Sequence, residues 1–510
     1  MNTLRTARNI AAGLGAQLWM SALGLLALPV IVRGFGPEAY GLLSLNLTLV
    51  GAASVCDLGI GIALAKYVAE TTADHDQSRT NVHVSTALTL VLFLSIVTTI
   101  AGIGLAPALA THILRIPAPL ENSARISFLI TSATIPAILL RILCNGILVG
   151  QHRITYLSAT NALIGTLKIL AGVAVAVMRP EIHILVLAFA VLSYAHAALL
   201  AVMCFGSRRS SIRIRFGWNL RVAKELTKLG CFSSLSVTAG YVFLYADRWL
   251  IATFLPLNVL GYYSLAFEIG SKQWYIANSI SQAYFPVFGG HAQRSDGIRS
   301  TYMQALKLLS LGCTGAALVL AIFARQLLAT WISPDYGQNA ASLLTILSFG
   351  ILIACYLNIP ATAILAASGR PQITAGLFGL AAVLHCTVSL VAMRWLGAEG
   401  VALGFCAGYT FVFLGSTAWL SRQGLIPGLY EVLRRCLLPS VGAALFVSLV
   451  AVQFASRLLT HVTGVLLAMA LTYLMYLPLA AWLTFTVAER ENLVARLAAV
   501  PLLRSALSRY

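Results

Sequence analysis

The chain has 510 residues, of which 59% are hydrophobic and only 10% are charged, and its mean hydropathy is +0.87. Soluble domains carry about a quarter charged residues, so this composition excludes a soluble globular protein and predicts an all-α polytopic membrane protein. The net charge of +18 lies mostly in the connections between apolar runs. It therefore indicates membrane topology and lipid contact rather than a nucleic-acid partner.

Cutting the chain at its charged and Pro/Gly-rich breaks predicts about fourteen transmembrane helices. They lie near residues 10–32, 42–66, 83–111, 124–150, 155–178, 182–206, 230–254, 258–288, 302–329, 340–367, 372–396, 399–421, 434–455 and 461–486. The first is long enough to span a bilayer and lacks an A-x-A-like cleavage site, so we expect a retained helix rather than a signal peptide.

Lysine and arginine are distributed unevenly between the connections of these helices. The termini and the even-numbered loops are rich in them, whereas the odd-numbered loops are poor. By the positive-inside rule, both termini are expected in the cytoplasm.

The largest basic segment, residues 207–230, holds seven Lys/Arg and falls between the sixth and seventh predicted helices. We expect it to be a hinge whose second half lies on the inner leaflet, where each basic residue contributes about 1 kcal/mol of attraction to anionic lipid. The resulting organisation is an N-lobe at 1–206, a basic cytoplasmic linker at 207–229, a C-lobe at 230–421, two extra helices at 434–486 and an amphipathic cytoplasmic tail at 487–510.

An internal repeat supports this division into two lobes. The stretch FGPEAYGLLSL (35–45) matches LPLNVLGYYSL (255–265) at an offset of 220, and GQHRIT (150–155) matches GRPQIT (369–374) at an offset of 219. Because an even number of helices separates equivalent elements, the two six-helix lobes are expected to have parallel topology.

Several segments resemble the polysaccharide transporter, or O-antigen flippase, family of the multidrug/oligosaccharidyl-lipid/polysaccharide (MOP) superfamily. They are AAGLGAQLWMSALGLLALPVIVRGFGPEAYGLLSL (11–45), DLGIGIALAKYVAE (57–70), the two turns of the repeat and YFPVFGGHAQR (284–294). The resemblance implies a V-shaped pair of lobes around a cavity, alternating access and transport across a bacterial inner membrane. The implied substrate is an oligosaccharide on undecaprenyl diphosphate, with membrane lipids, a polysaccharide polymerase and glycosyltransferases as partners.

Charged side chains inside the predicted helices point to a substrate cavity. A charge at the centre of a membrane helix costs about 2.5 to 3.5 kcal/mol unless it faces protein, water or a substrate. Cations outnumber acids among these residues, which leaves positive charge for a diphosphate, and tyrosine rings could stack on sugars. The candidate cavity residues are Asp57, Arg141, Lys168, Tyr241, Tyr245, Arg248, Glu268 and Lys272.

Lys168 and Arg248 are expected to contribute most directly, one from each predicted lobe. Each lies on a polar face of its helix and has no acidic residue at i±3 or i±4. The alternative is that each forms a salt bridge between lobes, for instance Lys168 with Glu268 or Arg248 with Asp57.

The remaining charges have simpler interpretations. Lys66 lies near the end of its predicted helix and is expected to extend to the headgroups. Asp57 is deeper and needs a partner, for which Arg141 is the first candidate. Glu268 and Lys272 are i, i+4 neighbours that could neutralise each other.

Neither a catalytic residue, a metal site nor a cofactor is predicted. The nine cysteines are scattered without paired spacing, which favours small buried residues over metal ligands. The longest outward loop, near 112–123, is too short for the active site of a glycosyltransferase. Two alternatives stay open: a peptidoglycan-precursor (lipid II) flippase, and a cation-coupled drug exporter, which the absence of an acid in the first helix disfavours. The coupling ion, proton or sodium, is not determined.

Overall fold

The structure is a computed structural model that describes residues 3–73, 76–206, 217–290, 295–368, 371–455, 461–487 and 489–491. Within these residues every regular element is a helix, which confirms the all-α class. The α-helices are α1 (Thr3–Val55), α2 (Ile60–Ala73), α3 (Gln77–Ala108), α4 (Ala118–Ala133), α5 (Ile135–Gly150), α6 (Ile154–Met178), α7 (Ile182–Ala201), α8 (Leu220–Phe254), α9 (Leu257–Gly270), α10 (Gln273–Gly290), α11 (Ser295–Trp331), α12 (Pro334–Asn339), α13 (Ala341–Ser368), α14 (Pro371–Leu396), α15 (Ala398–Arg422), α16 (Leu429–Val432), α17 (Leu438–Ala455) and α18 (Val462–Thr484). Short π-helical turns lie at Leu109–Ile113, Val202–Gly206 and Leu433–Leu437.

Eleven helices of the described residues are long and apolar enough to cross a membrane. One of them, Gly15–Val55, has 41 residues and overlaps the predicted first helix and most of the second. Because about 20 residues suffice for one crossing, this helix is long enough for two. The predicted seventh and eighth helices correspond to α8 and to α9 with α10, which are not among the eleven. The chain is therefore a multi-pass membrane protein, and the helices are consistent with about fourteen crossings.

The long helix α1 is bent where the sequence reads Phe-Gly-Pro. Gly36 has φ 75° and ψ 172°, which is outside the helical region, and Pro37 follows it. Glycine adopts a positive φ without steric cost. The first two predicted crossings are thus separated by a kink at Gly36 rather than by a loop.

The predicted second helix, 42–66, is wrong in one respect, because it is broken between α1 and α2. Leu58 and Gly59, with φ 50° and φ 70°, lie in the left-handed region. A Cβ on Gly59 would lie 2.4 Å from the carbonyl oxygen of Gly230 at the start of the membrane part of α8. The apolar run alone predicts a continuous helix, whereas the close approach of the two glycines favours a break.

The described residues group into two compact units. Unit 1 comprises Met1–Leu265 and Phe378–Val401, and unit 2 comprises Ala266–Leu377 and Ala402–Tyr510. In unit 1, α1 packs on α6, α2 packs on α5, and α5 packs on α7. Buried aliphatic side chains of α2, α3, α5 and α8 form a hydrophobic cluster, so these helices are held together by apolar packing.

Unit 2 is organised around α11, which contacts α13, α17 and α18. Ser310 on α11 donates a hydrogen bond to the carbonyl oxygen of Cys436 at 2.7 Å, and its Oγ atom lies 2.6 Å from Ser440 Oγ. Lys307 donates to both carboxylate oxygens of Glu489, at 2.9 and 2.8 Å. Together with an apolar cluster between α11, α17 and α18, these contacts make the two extra helices an integral part of unit 2.

The internal repeat brings equivalent residues together within unit 1. A Cβ on Gly41 would lie 2.5 Å from the carbonyl oxygen of Leu257, and a Cβ on Gly261 would lie 2.0 Å from that of Pro37. Gly41 and Gly261 are 220 residues apart in the sequence, and so are Pro37 and Leu257, which is the offset of the repeat. The contact is therefore reciprocal, as expected for elements related by a two-fold axis.

The next matched pair of the repeat shows the same relation. Ser264 Oγ donates a hydrogen bond to Ser44 Oγ at 2.7 Å, and both side chains are buried. The two segments 35–45 and 255–265 therefore contact each other through residues at the same position of the predicted repeat.

Candidate functional site: a cationic cluster in unit 1

Three helices of unit 1 bring two of the predicted cations together. Arg141 lies on α5, Lys168 on α6 and His196 on α7, and the charges of Arg141 and Lys168 act on each other and on the His196 imidazole. The Lys168 ammonium donates a hydrogen bond to Ser193 Oγ at 2.9 Å and lies 5.8 Å from the centre of the Phe189 ring. We call Arg141, Lys168, Ser193 and His196 the cationic cluster.

No carboxylate neutralises the cationic cluster within the part of the chain that the structure describes. Arg141 and Lys168 are half-buried, and neither forms an ion pair with a described Asp or Glu. Repulsion between like charges grows as the surroundings become less polar. An anion that entered the cluster would remove this repulsion, and a guanidinium can hold a phosphate through two parallel hydrogen bonds.

Two members of the cationic cluster, Ser193 and His196, were not identified from the sequence. His196 is only 6% exposed, and its Nε2 atom has no hydrogen-bond partner among the described residues. Ser193 and His196 are three residues apart on an otherwise apolar helix, so the sequence places them on one face of α7. The sequence does not show which side chains that face contacts, because Lys168 and Arg141 are 25 or more residues away in the chain.

Arg248 has an acidic partner, and that partner is the preceding residue, Asp247, and not Asp57 as in the alternative drawn from the sequence. Its guanidinium lies 3.1 Å from Asp247 Oδ1 and donates another hydrogen bond to the carbonyl oxygen of Leu244 at 3.0 Å. The second oxygen of Asp247 accepts a hydrogen bond from the Tyr263 hydroxyl at 2.6 Å. A search at i±3 and i±4 misses this pair because the long arginine side chain folds back to the preceding residue. Arg248 is therefore part of a compensated buried ion pair.

The two tyrosines on α8 lie next to this ion pair. Their rings are 4.8 Å apart, and the Tyr245 ring centre lies 5.1 Å from the guanidinium carbon of Arg248. The Tyr241 hydroxyl donates to the carbonyl oxygen of Thr48 on α1 at 2.8 Å. Tyr241 thus holds α8 against α1, which is a packing role. The side chain of Ser234, at the start of the predicted polar face, is outside the described residues.

Asp57 lies in the break between α1 and α2 and is 4% exposed. Its Oδ2 atom accepts a hydrogen bond from the backbone N–H of Gly61 at 3.0 Å, whereas Oδ1 has no partner among the described residues. The proposed pairing with Arg141 is wrong, because no ion pair joins these two described side chains. The helix break gives the carboxylate a local backbone donor instead.

The other predicted charges form local pairs. In unit 2, Lys272 donates to Glu268 as the i, i+4 spacing indicates, so these two charges neutralise each other. Lys66 lies 3.8 Å from Glu70, and its side chain is 58% exposed. An exposed pair of this kind contributes little to stability and leaves Lys66 free to reach the membrane surface.

Within the described residues, no group of three or more His, Cys, Asp or Glu side chains is placed to hold a metal ion. A bundle of membrane-crossing helices that encloses uncompensated cations is the architecture of a membrane transporter, not of a soluble enzyme. The chain belongs to the polysaccharide biosynthesis protein family, whose model matches residues 6–290.

Comparison with known proteins agrees with this assignment. The chain is similar to a Shigella flexneri protein provisionally named an O-antigen transporter, with 23% identity over 372 residues, 71% of this chain and 84% of the relative. Its fold matches that of the lipid II flippase MurJ in an inward closed conformation, with a TM-score of 0.74, 14% identity and coverage of 92% of this chain and 97% of the other. It also matches an inward-facing multidrug MATE transporter of the MOP superfamily, with a TM-score of 0.70, 17% identity and coverage of 79% and 94%. These findings confirm the predicted family, superfamily fold and transporter class.

Proposed function

We propose that the protein is a flippase that moves undecaprenyl-diphosphate-linked oligosaccharide from the cytoplasmic to the periplasmic leaflet of a bacterial inner membrane by alternating access. The polymer would be an O-antigen or an exopolysaccharide. Both termini lie in the cytoplasm in this proposal, in accordance with the charge distribution of the loops.

The cationic cluster is the observation that carries the proposal. It lies on three membrane helices, contains two cations without a described acidic partner, and would be stabilised by an anion. The diphosphate is a charged group that every such lipid-linked substrate carries. Lys168 and Arg141 would hold it, because an ammonium and a guanidinium both donate charge-assisted hydrogen bonds to phosphate oxygens.

The other predicted cavity residues have smaller parts in this proposal. Arg248 is neutralised by Asp247 and Lys272 by Glu268, so neither brings a free positive charge. Tyr245 offers the face of its ring to a sugar. Asp57 offers a buried carboxylate that would accept a proton if transport is coupled to a proton gradient. Glycosyltransferases and a polymerase would supply and consume the lipid-linked repeat unit.

The proposal is tested by replacing Lys168 in a strain that lacks the chromosomal copy of the gene. We expect Lys168→Ala to lower polymer export about 10- to 100-fold, because a charge-assisted hydrogen bond contributes about 1.5 to 3 kcal/mol. Lys168→Arg should retain most export. Lys66→Ala is the matched control, because it removes the same charge from an exposed position and should leave export unchanged.

Surface polymer and lipid-linked repeat units on each leaflet are the measured quantities. Deletion of the gene should abolish the polymer and leave repeat units on the cytoplasmic leaflet. Normal polymer in the deletion strain, in the absence of a second flippase, would refute the proposal. Accumulation of lipid II instead of polymer repeat units would favour the peptidoglycan-precursor flippase, whose substrate carries the same diphosphate.

A further inference from the structure

Unit 2 contains a cavity of about 570 Å³ between α10 and α11. Tyr284 and Val287 line it from α10, and Ser300, Thr301 and Gln304 line it from α11. Its volume lies within the range of small-molecule sites, about 300 to 1,000 Å³. It is separate from the cationic cluster, which belongs to unit 1.

Helical spacing explains why these residues face one another. Tyr284 and Val287 are three residues apart on α10, and Ser300 and Gln304 are four apart on α11, so each pair lies on one face of its helix. Gly297, one turn before Thr301, also lines the cavity. Because glycine has no side chain, the space between the two helices stays open at this point.

Two polar groups of the cavity, on Ser300 and Gln304, are neutral and exposed. Neither of these side chains forms a hydrogen bond with another described residue. A hydroxyl and a carboxamide both donate and accept hydrogen bonds, which matches the hydroxyl groups of a sugar. None of the described residues that line the cavity is charged, so these residues offer hydrogen bonds and not a counter-charge.

The tyrosine adds an apolar face to this set of donors and acceptors. Tyr284 is partly exposed within the cavity, and its ring presents a flat apolar surface with a polar tip. The C–H face of a pyranose ring is apolar while its rim carries hydroxyls. A tyrosine ring on one wall and neutral hydrogen-bonding groups on the other therefore match a sugar better than they match a lipid tail or an ion.

The cavity lies at the first turns of the α11 span, which runs from Gly297 to Trp331 and has 35 residues, more than the roughly 20 that one crossing needs. Arg299, next to the cavity residue Ser300, is 54% exposed and lies 3.5 Å from Glu431. The charge distribution of the loops predicts that the connection between α10 and α11 lies in the cytoplasm, the side on which a lipid-linked sugar would be loaded.

We propose that this cavity is a sugar subsite that binds a neutral hexose or N-acetylhexosamine of the lipid-linked oligosaccharide. This inference rests on the proposed function, because the sugar reaches the protein as part of the lipid-linked oligosaccharide. Ser300 and Gln304 form hydrogen bonds to its hydroxyl groups, and Tyr284 stacks on its ring. The subsite selects the sugar, whereas the cationic cluster recognises the diphosphate common to all such lipids.

The test measures two ligands on the purified full-length protein. One is undecaprenyl diphosphate, and the other is undecaprenyl diphosphate carrying one to three sugars that begin with glucose, galactose or N-acetylglucosamine. Gln304→Leu and Ser300→Ala are the test variants, since both positions are exposed and their replacement leaves the core intact. Gln282→Leu is the matched control, because Gln282 is an exposed glutamine of α10 that does not line the cavity.

We expect the wild-type protein to bind at least one glycosylated lipid more tightly than the bare diphosphate. Gln304→Leu and Ser300→Ala should each weaken binding of that glycosylated lipid about fivefold, because each removes a hydrogen bond to the sugar. Both should bind undecaprenyl diphosphate as the wild-type protein does, and Gln282→Leu should bind both ligands normally.

The possible failures are distinguishable. If both ligands lose affinity equally in the cavity variants, or if neither does, the sugar subsite is refuted and the flippase proposal is retained. Equal wild-type affinity for all glycosylated lipids and the bare diphosphate would also refute the subsite. If the wild-type protein binds none of these lipids, the proposed function itself is refuted.

Discussion

Two cations on polar helix faces of unit 1 have opposite environments. Lys168 on α6 contacts a serine hydroxyl and is close enough to Arg141 to be repelled by it. Arg248 on α8 is held by Asp247, which accepts a hydrogen bond from Tyr263. In the sequence neither cation has an acidic residue at i±3 or i±4, and Arg248 differs only in that Asp247 directly precedes it. The comparison teaches that a buried charge supports the fold when its counter-charge is part of the chain, and is available to a ligand when it is not.

The largest expected effect comes from breaking the compensated pair. Asp247→Asn leaves the Arg248 guanidinium buried without a counter-charge, and breaking a buried pair in this way costs about 3 to 5 kcal/mol. We therefore expect a large loss of folded protein and a lower Tm in detergent. Arg248→Gln combined with Asp247→Asn should recover part of the loss, since no unpaired charge remains. An Asp247→Asn variant as stable as the wild type would show that the pair does not support the fold.

Replacing Lys168, the cation without a carboxylate partner among the described residues, is expected to have a smaller effect, and to raise stability instead of lowering it. Lys168→Met removes the repulsion from Arg141 and leaves no unpaired group behind, because the Ser193 hydroxyl still donates to the carbonyl oxygen of Phe189. We expect stability to rise by about 1 kcal/mol, measured as Tm, while export falls. Lys272→Met is the control: it removes a lysine paired with Glu268 and should not raise Tm. A lower Tm for Lys168→Met would place Lys168 among the structural charges.

The smallest effect is expected at the ion pair that anchors the end of the described chain to α11. Partial burial alone would raise the pKa of Glu489, but hydrogen bonds from Lys307 and from Thr486 hold it below its ordinary value. A lowered pKa in the folded state adds stability that is present above the unfolded pKa of about 4.3 and is lost as the pH falls through the folded value.

This third prediction is measured by comparing the Tm of the wild type and Glu489→Gln between pH 7 and pH 3.5. The wild type should be more stable at neutral pH because Glu489→Gln takes the counter-charge from the buried Lys307, and the loss should stay below that of Asp247→Asn because Glu489 is itself 29% exposed. The difference should shrink below about pH 4.3. Glu70→Gln is the control, since Glu70 belongs to an exposed pair and its replacement should change little at any pH. A difference that grows on acidification would contradict the assigned role of Glu489.

The fold was largely predictable from local sequence properties. Long apolar runs and charged loops are visible without knowledge of contacts, because a membrane helix must satisfy its own backbone hydrogen bonds. The offset of 220 between Gly41 and Gly261 was likewise visible, although their reciprocal close approaches were not. The break at Leu58 and Gly59 was not predictable, because its cause is the approach of Gly230 on another helix.

The candidate site was predictable only in part. Lys168 and Arg141 were identified because a charge within a membrane helix is rare. Their mutual proximity, and the presence of Ser193 and His196 beside them, depend on how α5, α6 and α7 pack. The cavity between α10 and α11 gave no signal in the sequence, since neutral polar residues such as Ser300 and Gln304 are common near helix ends.

The sequence by itself determined that this protein crosses a membrane many times, that its two halves are related by a repeat, and which charges lie inside the helices. These properties follow from composition and spacing, which each segment carries on its own. The i, i+4 spacing indicated the pair of Lys272 with Glu268, but only the tertiary structure decided that Arg248 folds back onto Asp247 and that Lys168 meets no carboxylate among the described residues. The physical reason is that the energy of a buried charge depends on the groups within a few ångströms of it, and except for local pairs those groups come from distant parts of the chain.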